Sequence, residues 1–405
     1  MTTDILDAID PKALGSRLQE ARKARGLTQQ AVADHMQMAR TTLVAVEKGE
    51  RRLTPTELIK LADLYGRPVS EFVNRQTVTE AFVPQFRAAW RADFEEDSAL
   101  EKVALELQRL AEDYVELERL CDTSKPRNYP PEYSTSGASA EQAAEEIATA
   151  ERNRLGIGDG PLSSLRERLE TDVGLRVFYF EMPPGVSGLF VYNEQLGGCI
   201  GININHPRDR RHWSLSHEYG HFLTSRYQPE VTFLFQKRRN SFKERLADGF
   251  AKYFLMPASG LNRRFTEMHR ASEGGITLAH ICTLADLYRV SVQAMILRLE
   301  ELRRLPSGTW DQLEMKGIEV RRAQELLGIN ANLPVKDRLP RRYQRLAVMA
   351  YENEKLSEGQ LAKILRTDRV TARSIVEDVT QHFNAQREGS YKDIELDLAM
   401  PLSGK

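Results

Sequence analysis

The sequence has few cysteines and no long apolar run. Its three cysteines, Cys121, Cys199 and Cys282, lie far apart and offer neither a CxxC pair nor a disulfide framework. No stretch approaches the roughly 18 uninterrupted apolar residues that a membrane-spanning helix needs. The N-terminal segment MTTDILDAIDPKALG is acidic and lacks the basic start of a secretion signal. These absences argue against a disulfide scaffold and a membrane protein, and they predict a cytoplasmic protein in a reducing compartment.

The chain also lacks a strong overall charge, but its charge is distributed unevenly. Its formal net charge is −1. From Pro11 to Arg75 there are 12 Lys and Arg against 7 Asp and Glu, whereas from Ala92 to Leu120 there are 3 against 10. A basic module followed by an acidic segment indicates nucleic-acid contact at the N-terminus only. Scattered surface charge without a function is the alternative.

The sequence from 11 to 75 predicts a compact unit of short helices joined by tight turns. A first helix contains Leu14 and Leu18 on one face and ends near Gly26. Thr28 can cap the helix QQAVADHM, and a third helix runs from about Arg40 to Lys48. Further helices are expected at TPTELIKLADLY and SEFVNRQ, the second with Ser70 as its cap.

A single apolar stripe characterises residues 98 to 121. Its members alternate at spacings of three and four, which is an a/d seam about three heptads long: Leu100, Val103, Leu107, Leu110, Tyr114, Leu117 and Cys121. The helix that carries this seam can pack against a dimer partner or against another part of the same chain. The following segment, SKPRNYPPEYSTSGAS, is rich in Pro, Ser and Gly and is expected to be irregular.

From about Ala140 the pattern becomes mixed α and β. Helices fit EQAAEEIATAERNRLG and PLSSLRERLETD, and short strands fit LRVFYF, GLFVYN, GCIGININ and VTFLF. The block from about Leu339 to His382 is helical again and includes LSEGQLAKILRTDRVTARSIVEDV, which has the pattern of a helix-turn-helix. Three similar decapeptides, LADLYGRPVS, LADLYRVSVQ and LAKILRTDRV, indicate recurring helix–helix corners and are too short to be repeats.

The pentapeptide HEYGH at 217–221 is the sharpest chemical signal. On a helix, His217 and His221 lie one turn apart, so both imidazoles can reach one metal ion. Glu218 lies beside the pair, where it can take a proton from a metal-bound water. A surface helix that happens to carry two histidines is the alternative.

A catalytic zinc site needs a third protein ligand. Glu244 lies 23 residues after His221 on an amphipathic helix, with Asp248 one turn further on. Asp248 can accept a hydrogen bond from the ring of a ligating histidine and so orient it. Glu230 is the competing third ligand, but its neighbour Pro229 places it in a loop. We expect Glu244 to be the ligand.

These motifs resemble the ImmA/IrrE-type metallopeptidases over about residues 140 to 305. The matching stretches are IGININHPRDRRHWSLSHEYGHFL and ERLADGFAKYFLMP. The resemblance implies a zincin-like α+β domain with zinc bound by His217, His221 and Glu244, and with Glu218 as the general base. GCIGININ, just before the active helix, is the expected edge strand on which an extended substrate pairs. An ordinary buried strand is the alternative, which its apolar alternation supports equally. Three side chains are candidates for stabilising the oxyanion, although each fits a structural role better: Tyr253, His280 and Tyr288.

Residues 14 to 72 resemble the Xre/Cro-type helix-turn-helix of phage and bacterial repressors. The matching stretches are LxxARxxxGLTQQAVAD and ARTTLVAVEKGERRLTPTELIKLADLY. The resemblance implies that Arg40 and Thr41 contact bases and that Ala45 faces the major groove. Phosphate contacts are implied for five residues: Gln29, Thr42, Lys48, Arg51 and Arg52. An interaction domain that has lost DNA binding is the alternative.

Together the two resemblances predict a mainly α protein with a small β-sheet. The expected parts are a helix-turn-helix domain at 11–75, a connector with the seam and linker at 76–139, a metallopeptidase domain at 140–305, and a helical region at 306–405. We expect a DNA-binding regulator whose zinc endopeptidase cleaves a repressor or an antitoxin-like protein. Relatives of this kind act in phage-like elements and stress responses, and their binding to two half-sites predicts a homodimer. The alternative is a transcription factor or antitoxin-like protein whose zinc domain senses or scaffolds without proteolysis.

Overall fold

The chain forms two compact units, Met1–Glu80 and Ala81–Lys405. A computed structural model describes residues 10–65, 69, 72, 82–83, 97–123, 127–135, 137–162, 164–233, 241–272, 275–329 and 338–388. Within these ranges no helix combines the length and the apolar character that crossing a membrane requires.

The described part of the first unit is helical, as the sequence predicts. Asp10 caps the first helix and Thr28 the second, where the Thr28 hydroxyl accepts from the Ala31 amide. Gly26 adopts a φ of +68° between these helices, a conformation that glycine tolerates best. The helices are α1 (Pro11–Ala24), α2 (Gln29–His35), α3 (Arg40–Glu47) and α4 (Pro55–Tyr65). The predicted helix SEFVNRQ, with its cap Ser70, lies outside the described residues except for Phe72.

The core of this unit combines apolar side chains with one buried ion pair. Leu18, Leu43 and Leu61 are fully buried in it. Arg22 on α1 donates to Glu47 on α3 over 2.6 Å, and both side chains are almost fully buried. Burial alone would raise the pKa of Glu47, but the hydrogen bonds from Arg22 and Gln29 lower it below its usual value. The ion pair and the Gln29 hydrogen bond therefore connect three of the helices: α1, α2 and α3.

The second unit is larger and contains helices around a small sheet. Its strands are β1 (Arg176–Phe180), β2 (Val186–Asn193), β3 (Gly197–Asn203) and β4 (Glu230–Phe233). Its helices before β4 are α5 (Asp97–Leu120), α6 (Ala140–Arg154), α7 (Leu165–Arg168, continued by a π-helical turn at Leu169–Val173) and α8 (Arg208–Ser225). Its helices after β4 are α9 (Phe242–Leu255), α10 (Ala258–Ala271), α11 (Leu278–Tyr288), α12 (Val292–Glu301), α13 (Thr309–Met315), α14 (Val320–Leu326), α15 (Arg341–Glu352), α16 (Glu358–Ile364) and α17 (Arg369–Glu388).

The strand order of the sheet is β1-β3-β2-β4. β3 is parallel to β1, while β2 is antiparallel to both β3 and β4. The expectation that GCIGININ, which forms β3, is an edge strand is therefore wrong. β3 hydrogen-bonds to a neighbour on each side, and it is buried along its whole length. In the described sheet, β4 is the edge strand next to β2.

Helices cover both faces of the sheet. Ile200 and Ile202 of β3 point into a core formed with α6, α8, α9, α11 and α12. Cys199, on the opposite face of β3, packs in a second core with α5 and the C-terminal helices α15 and α16. The alternation of β3 side chains thus serves two cores, which explains why its sequence contains so few polar residues.

The apolar seam on α5 packs within its own chain. Its first six members are buried, and Leu107 and Leu117 have no exposed area at all. The ring of Tyr114 lies 5.3 Å from that of Tyr343 on α15 and 6.4 Å from that of Phe178 on β1. Of the two partners that the heptad pattern allows, the structure therefore contains the intramolecular one. The seam is not available as a dimer interface.

The linker between α5 and α6 lacks regular structure in its described residues, as predicted, but it is anchored to the second unit. The Tyr129 hydroxyl donates to the Gly174 carbonyl and accepts from the Gly198 amide. The Tyr133 hydroxyl donates to Glu151 over 2.7 Å. Prolines and serines here prevent regular structure, while the two tyrosines pack against the core.

Candidate metal centre and nucleic-acid interface

Helix α8 carries the HEYGH motif and is buried on almost every side. His217 and His221 lie one turn apart on it, and each is at most 3% exposed. Helix α9 starts beside them, with the Ser241 hydroxyl accepting from the Glu244 amide. This cap places Glu244 in the first turn of α9, so the predicted third ligand faces the histidine pair.

The three predicted ligands converge at one point. The distance between Nε2 of His217 and Nε2 of His221 is 3.1 Å. The Glu244 carboxylate lies 3.6 Å from Nε2 of His217 and 3.4 Å from Nε2 of His221. The competing ligand, Glu230, begins β4 rather than lying in the loop that the sequence predicts, and its side chain lies outside the described residues.

These distances fit a tetrahedral zinc ion. Two ligand atoms that each lie about 2.0–2.1 Å from such an ion are separated by about 3.3–3.4 Å. The observed separations of 3.1, 3.4 and 3.6 Å bracket this value. Two imidazole nitrogens and one carboxylate form a donor set that zinc prefers, and they leave a fourth position open.

Asp248 lies where an orienting residue is needed. Its carboxylate is 2.9 Å from Nδ1 of His217, on the side of the ring opposite Nε2. Burial alone would lower the pKa of His217, but the hydrogen bonds to Asp248 and Glu244 raise it to about 10. Burial would raise the pKa of Glu244, and the two histidines reverse this and lower it. Even without a cation, His217 and the carboxylates of Asp248 and Glu244 therefore stabilise one another's charged forms.

Glu218 is buried completely beside the histidines. By hydrogen-bond geometry neither of its carboxylate oxygens has a partner among the described residues, although the nearby Thr232 side chain acts to lower the pKa of this carboxyl. Burial raises the pKa of this carboxyl above its usual value. Buried carboxylate oxygens without a partner are costly, so this carboxylate is suited to hydrogen-bond a water molecule or a substrate.

Gly188 makes room for Glu218, a role that the sequence analysis missed. A Cβ atom at Gly188 on β2 would lie 2.6 Å from Oε1 of Glu218. Gly188 pairs with Thr232 of the edge strand β4, so α8 approaches β2 most closely beside this edge of the described sheet. No local pattern in GVSGLFVYN marks the close approach, because it depends on how α8 packs on the sheet.

Glu151 is a second residue that the sequence analysis missed. It is fully buried on α6 and accepts hydrogen bonds from Tyr133, Arg154 and Tyr219, the central residue of HEYGH. This network anchors α8 from behind the metal centre. A signal did exist, since Glu151 continues the buried face of α6 that begins with Ala140, Ala143, Ala144, Ile147 and Ala148.

The three oxyanion candidates have structural roles. The Tyr253 hydroxyl binds Glu301, and Tyr288 is fully buried in the core. His280 caps the start of α11 through Thr277. As expected, each fits a structural role.

Two family models match parts of the chain. Residues 170–300 match the peptidase M78 family, described as an IrrE N-terminal-like domain. The second unit carries an IrrE-like domain. Residues 18–72 match a helix-turn-helix family. The suspected architecture, an Xre-type helix-turn-helix followed by an IrrE-like domain, is thereby confirmed, as is the mainly α fold class with a small sheet.

Comparison with whole proteins adds no further argument. No curated protein matches the chain significantly. Among solved structures, PlcR of Bacillus thuringiensis in complex with the peptide PapR7 and DNA is 11% identical, covering 94% of this chain and 98% of that one. ComR from Streptococcus suis is 9% identical, covering 94% and 96%. Both have a TM-score of 0.16, which is too low to indicate a shared arrangement.

The helix-turn-helix places the predicted base-contacting residues on its surface. Arg40 and Thr41, which open α3, are exposed, as are Lys48 and Arg52, while Thr42 and Ala45 are partly buried. Two residues predicted to contact phosphates are engaged within the unit. Gln29 donates to Glu47 over 2.9 Å, and Arg51 pairs with Glu57 over 2.8 Å. A phosphate contact by either side chain would have to share or replace these bonds.

Proposed function

We propose that this protein is a DNA-binding transcriptional regulator whose IrrE-like domain is a zinc-dependent endopeptidase. Its substrate would be a regulatory protein such as a repressor or an antitoxin-like protein. The observation that carries the proposal is the convergence of His217, His221 and Glu244 beside a fully buried Glu218. Because a DNA partner requires it, we also propose a cytoplasmic location.

In this proposal His217, His221 and Glu244 hold the zinc ion, and Asp248 orients His217 by accepting from its Nδ1–H. Zinc supplies Lewis-acid activation of a water molecule and of the peptide carbonyl. Glu218 accepts the proton of the attacking water at a carboxylate oxygen and then delivers it to the leaving amine. Glu218 is fully buried beside the histidines, so its carboxylate lies inside the site where this proton is transferred.

β4 replaces β3 as the proposed docking strand for an extended substrate. It ends the described sheet next to β2, and it lies opposite Gly188, where Glu218 reaches the sheet. A substrate strand that hydrogen-bonds to β4 would bring its backbone carbonyl close to the metal centre.

In the helix-turn-helix, we propose that the first turn of α3 enters the major groove. Arg40 and Thr41 would contact base edges and Ala45 would face the groove, while phosphates would be contacted by Gln29, Thr42, Lys48, Arg51 and Arg52. The exposure of Arg40, Thr41 and Lys48 supports this assignment.

The decisive experiment separates metal binding from hydrolysis. Wild-type protein should bind about one zinc ion per chain and cleave members of a quenched fluorescent peptide library. Glu218→Gln should retain the zinc and lose cleavage, because it removes only the proton acceptor. His217→Ala should lose both. Glu244→Ala should also lose zinc, and retention of full zinc content there would contradict the ligand assignment.

The alternative function is a regulator in which the zinc domain senses or scaffolds without proteolysis. Glu218 argues against it, since a scaffold does not require a fully buried carboxylate with both oxygens unpaired. Wild-type protein that binds zinc stoichiometrically but cleaves neither the peptide library nor the proteins encoded beside it would favour this alternative.

A further inference from the structure

The C-terminal segment that resembles a helix-turn-helix has the same backbone geometry as the N-terminal one. At a constant offset of 329 positions, from Thr28 to Ser357, α2 (Gln29–His35) matches α16 (Glu358–Ile364), and both helices have seven residues. Thr28 and Ser357 each cap their helix by accepting from the amide three residues on. α3 and α17 then start at the matching residues Arg40 and Arg369.

The turns between the helices also match bond for bond. Gln37 and Arg366 have positive φ angles of 54° and 56°. The amide of Met38 donates to the Ala33 carbonyl over 3.0 Å, and that of Thr367 donates to the Ala362 carbonyl over the same distance. The inward-facing pairs are buried in both copies: Val32 and Leu361, Ala33 and Ala362, Leu43 and Ala372. The two segments are thus the same structural motif in two different units.

The turn alone does not make a DNA-binding surface, as a third copy shows. Between α11 and α12, Arg289 has a φ of 53° and the Val290 amide donates to Ala285 over 3.0 Å. In this copy, however, the residue that corresponds to Arg40 is Val292, which is 2% exposed. The helix that follows this turn therefore packs its first residue into the core and does not present it to solvent. The corner before α17 instead presents an exposed arginine at this position.

The exposed start of α17 is chemically suited to DNA. Arg369, Val370, Thr371, Arg373 and Ser374 are all exposed, while Ala372 faces the core. From Lys355 to Ser374 there are 5 Lys and Arg against 2 Asp and Glu.

Both acids in this stretch already have partners. Glu358 binds Arg373 over 2.6 Å, and Asp368 accepts from the Thr371 amide at the start of α17. A contact between Arg373 and the DNA backbone must therefore share or replace the ion pair with Glu358. Arg366 is also paired, with Glu106 and Asp113 of α5. The acidic residues Glu377 and Asp378 lie two turns further along, beyond the first residues that reach base edges in this motif.

We propose that α16 and α17 form a second site for double-stranded DNA, with Arg369 at a base edge and Arg373 at the backbone. One chain would then carry two DNA-reading modules and could contact two half-sites without a second copy of itself. Covalent linkage raises the local concentration of the second module once the first has bound, so affinity rises without further contacts. A single chain would then contact two half-sites, which other repressors achieve by forming dimers.

The first test measures binding of the full chain to a random-sequence duplex of about 40 base pairs at several salt concentrations. Arg369→Ala with Arg373→Ala should weaken binding several-fold. The same variant should lower the slope of log affinity against log salt by about 1 for each phosphate that it no longer neutralises. Arg321→Ala with Arg322→Ala removes two exposed arginines from α14 of the same unit and should change neither quantity. If the two double variants bind alike, the proposal is wrong.

The second test separates this site from the N-terminal one. Selection from a random duplex library should enrich two sequence elements with wild-type protein. Arg40→Ala should lose one element and Arg369→Ala the other, while Arg369→Lys should lose the element but keep most of the affinity, because lysine lacks the bidentate fork. A single element that is lost in Arg40→Ala and kept in Arg369→Ala would overturn the second site and leave the first intact. Equal unfolding temperatures would show that the variants fold.

Discussion

At the scale of single residues, the candidate active site depends on a glycine as much as on its carboxylates. Glu218 reaches the sheet only because Gly188 has no side chain. On the opposite side of α8, Glu151 accepts a hydrogen bond from the Tyr219 hydroxyl and so helps to fix the position of this helix. Neither residue belongs to the HExxH motif. Both act by determining where the Glu218 carboxylate lies relative to the histidine pair.

Gly188→Ala tests this dependence. The new methyl group would lie 2.6 Å from Oε1 of Glu218, so the carboxylate must move. Because a displacement of about 1 Å at a reacting group can cost about 100-fold in rate, we expect peptide cleavage to fall by roughly that factor while zinc binding persists. Gly185→Ala is the matched control, since a Cβ atom there meets nothing within 4 Å. Unchanged cleavage by Gly188→Ala would contradict the role assigned to Gly188.

At the scale of elements, α5 shows how one pattern permits two structures. Its heptad seam satisfies the requirements of a coiled coil, yet in the structure the seam packs on β1 and the C-terminal helix α15. Charged residues reinforce this packing. Glu118 on α5 binds both Arg176 on β1 and Arg342 on α15. Part of the acidic charge of this segment therefore forms ion pairs within the second unit.

Placing charges in the seam should destabilise the unit rather than dissociate a dimer. Leu107 and Leu110 are at most 3% exposed, so Leu107→Asp with Leu110→Asp should lower the free energy of unfolding by more than about 4 kcal/mol. Leu105→Asp lies on the same helix but at a site that is 41% exposed, and it should change the free energy by at most about 0.5 kcal/mol. Urea denaturation followed by circular dichroism measures both. A double variant that unfolds like wild type and only loses self-association would restore the dimer interpretation.

At the scale of the whole molecule, the metal centre and the N-terminal helix-turn-helix belong to different compact units. Each unit has its own core, and the three proposed zinc ligands all belong to the second unit. A ligand that binds the native state stabilises the unit that holds it, by about 2.7 kcal/mol when its concentration is 100 times its Kd. Metal should therefore affect the two units unequally.

Removing zinc with a chelator should lower the unfolding temperature of the second unit and leave that of the first unchanged. Scanning calorimetry of the full chain with and without chelator measures both transitions. In His217→Ala the chelator should have no effect, because the site is already lost. A chelator-induced shift that is equal in wild type and His217→Ala would show that zinc binds elsewhere.

Local patterns determined a large part of this protein. The caps at Thr28 and Ser357, the one-turn spacing of His217 and His221, and the strands of the sheet follow from residues within a few positions of each other, because helix and strand periodicities are short-range properties. Glu244 could be chosen because it shares a helix with Asp248, one turn away.

Only the tertiary structure decided which element packs against each apolar surface, where the sequence allowed more than one. Strand order placed β3 at the centre of the sheet although its sequence equally suits an edge, and the packing of α8 on β2 made Gly188 necessary. The seam of α5 is covered by residues more than 200 positions away, such as Tyr343. Side-chain spacing specifies that a face will be buried, but not by what, because burial of apolar surface is non-directional and the competition between partners is settled by the whole chain.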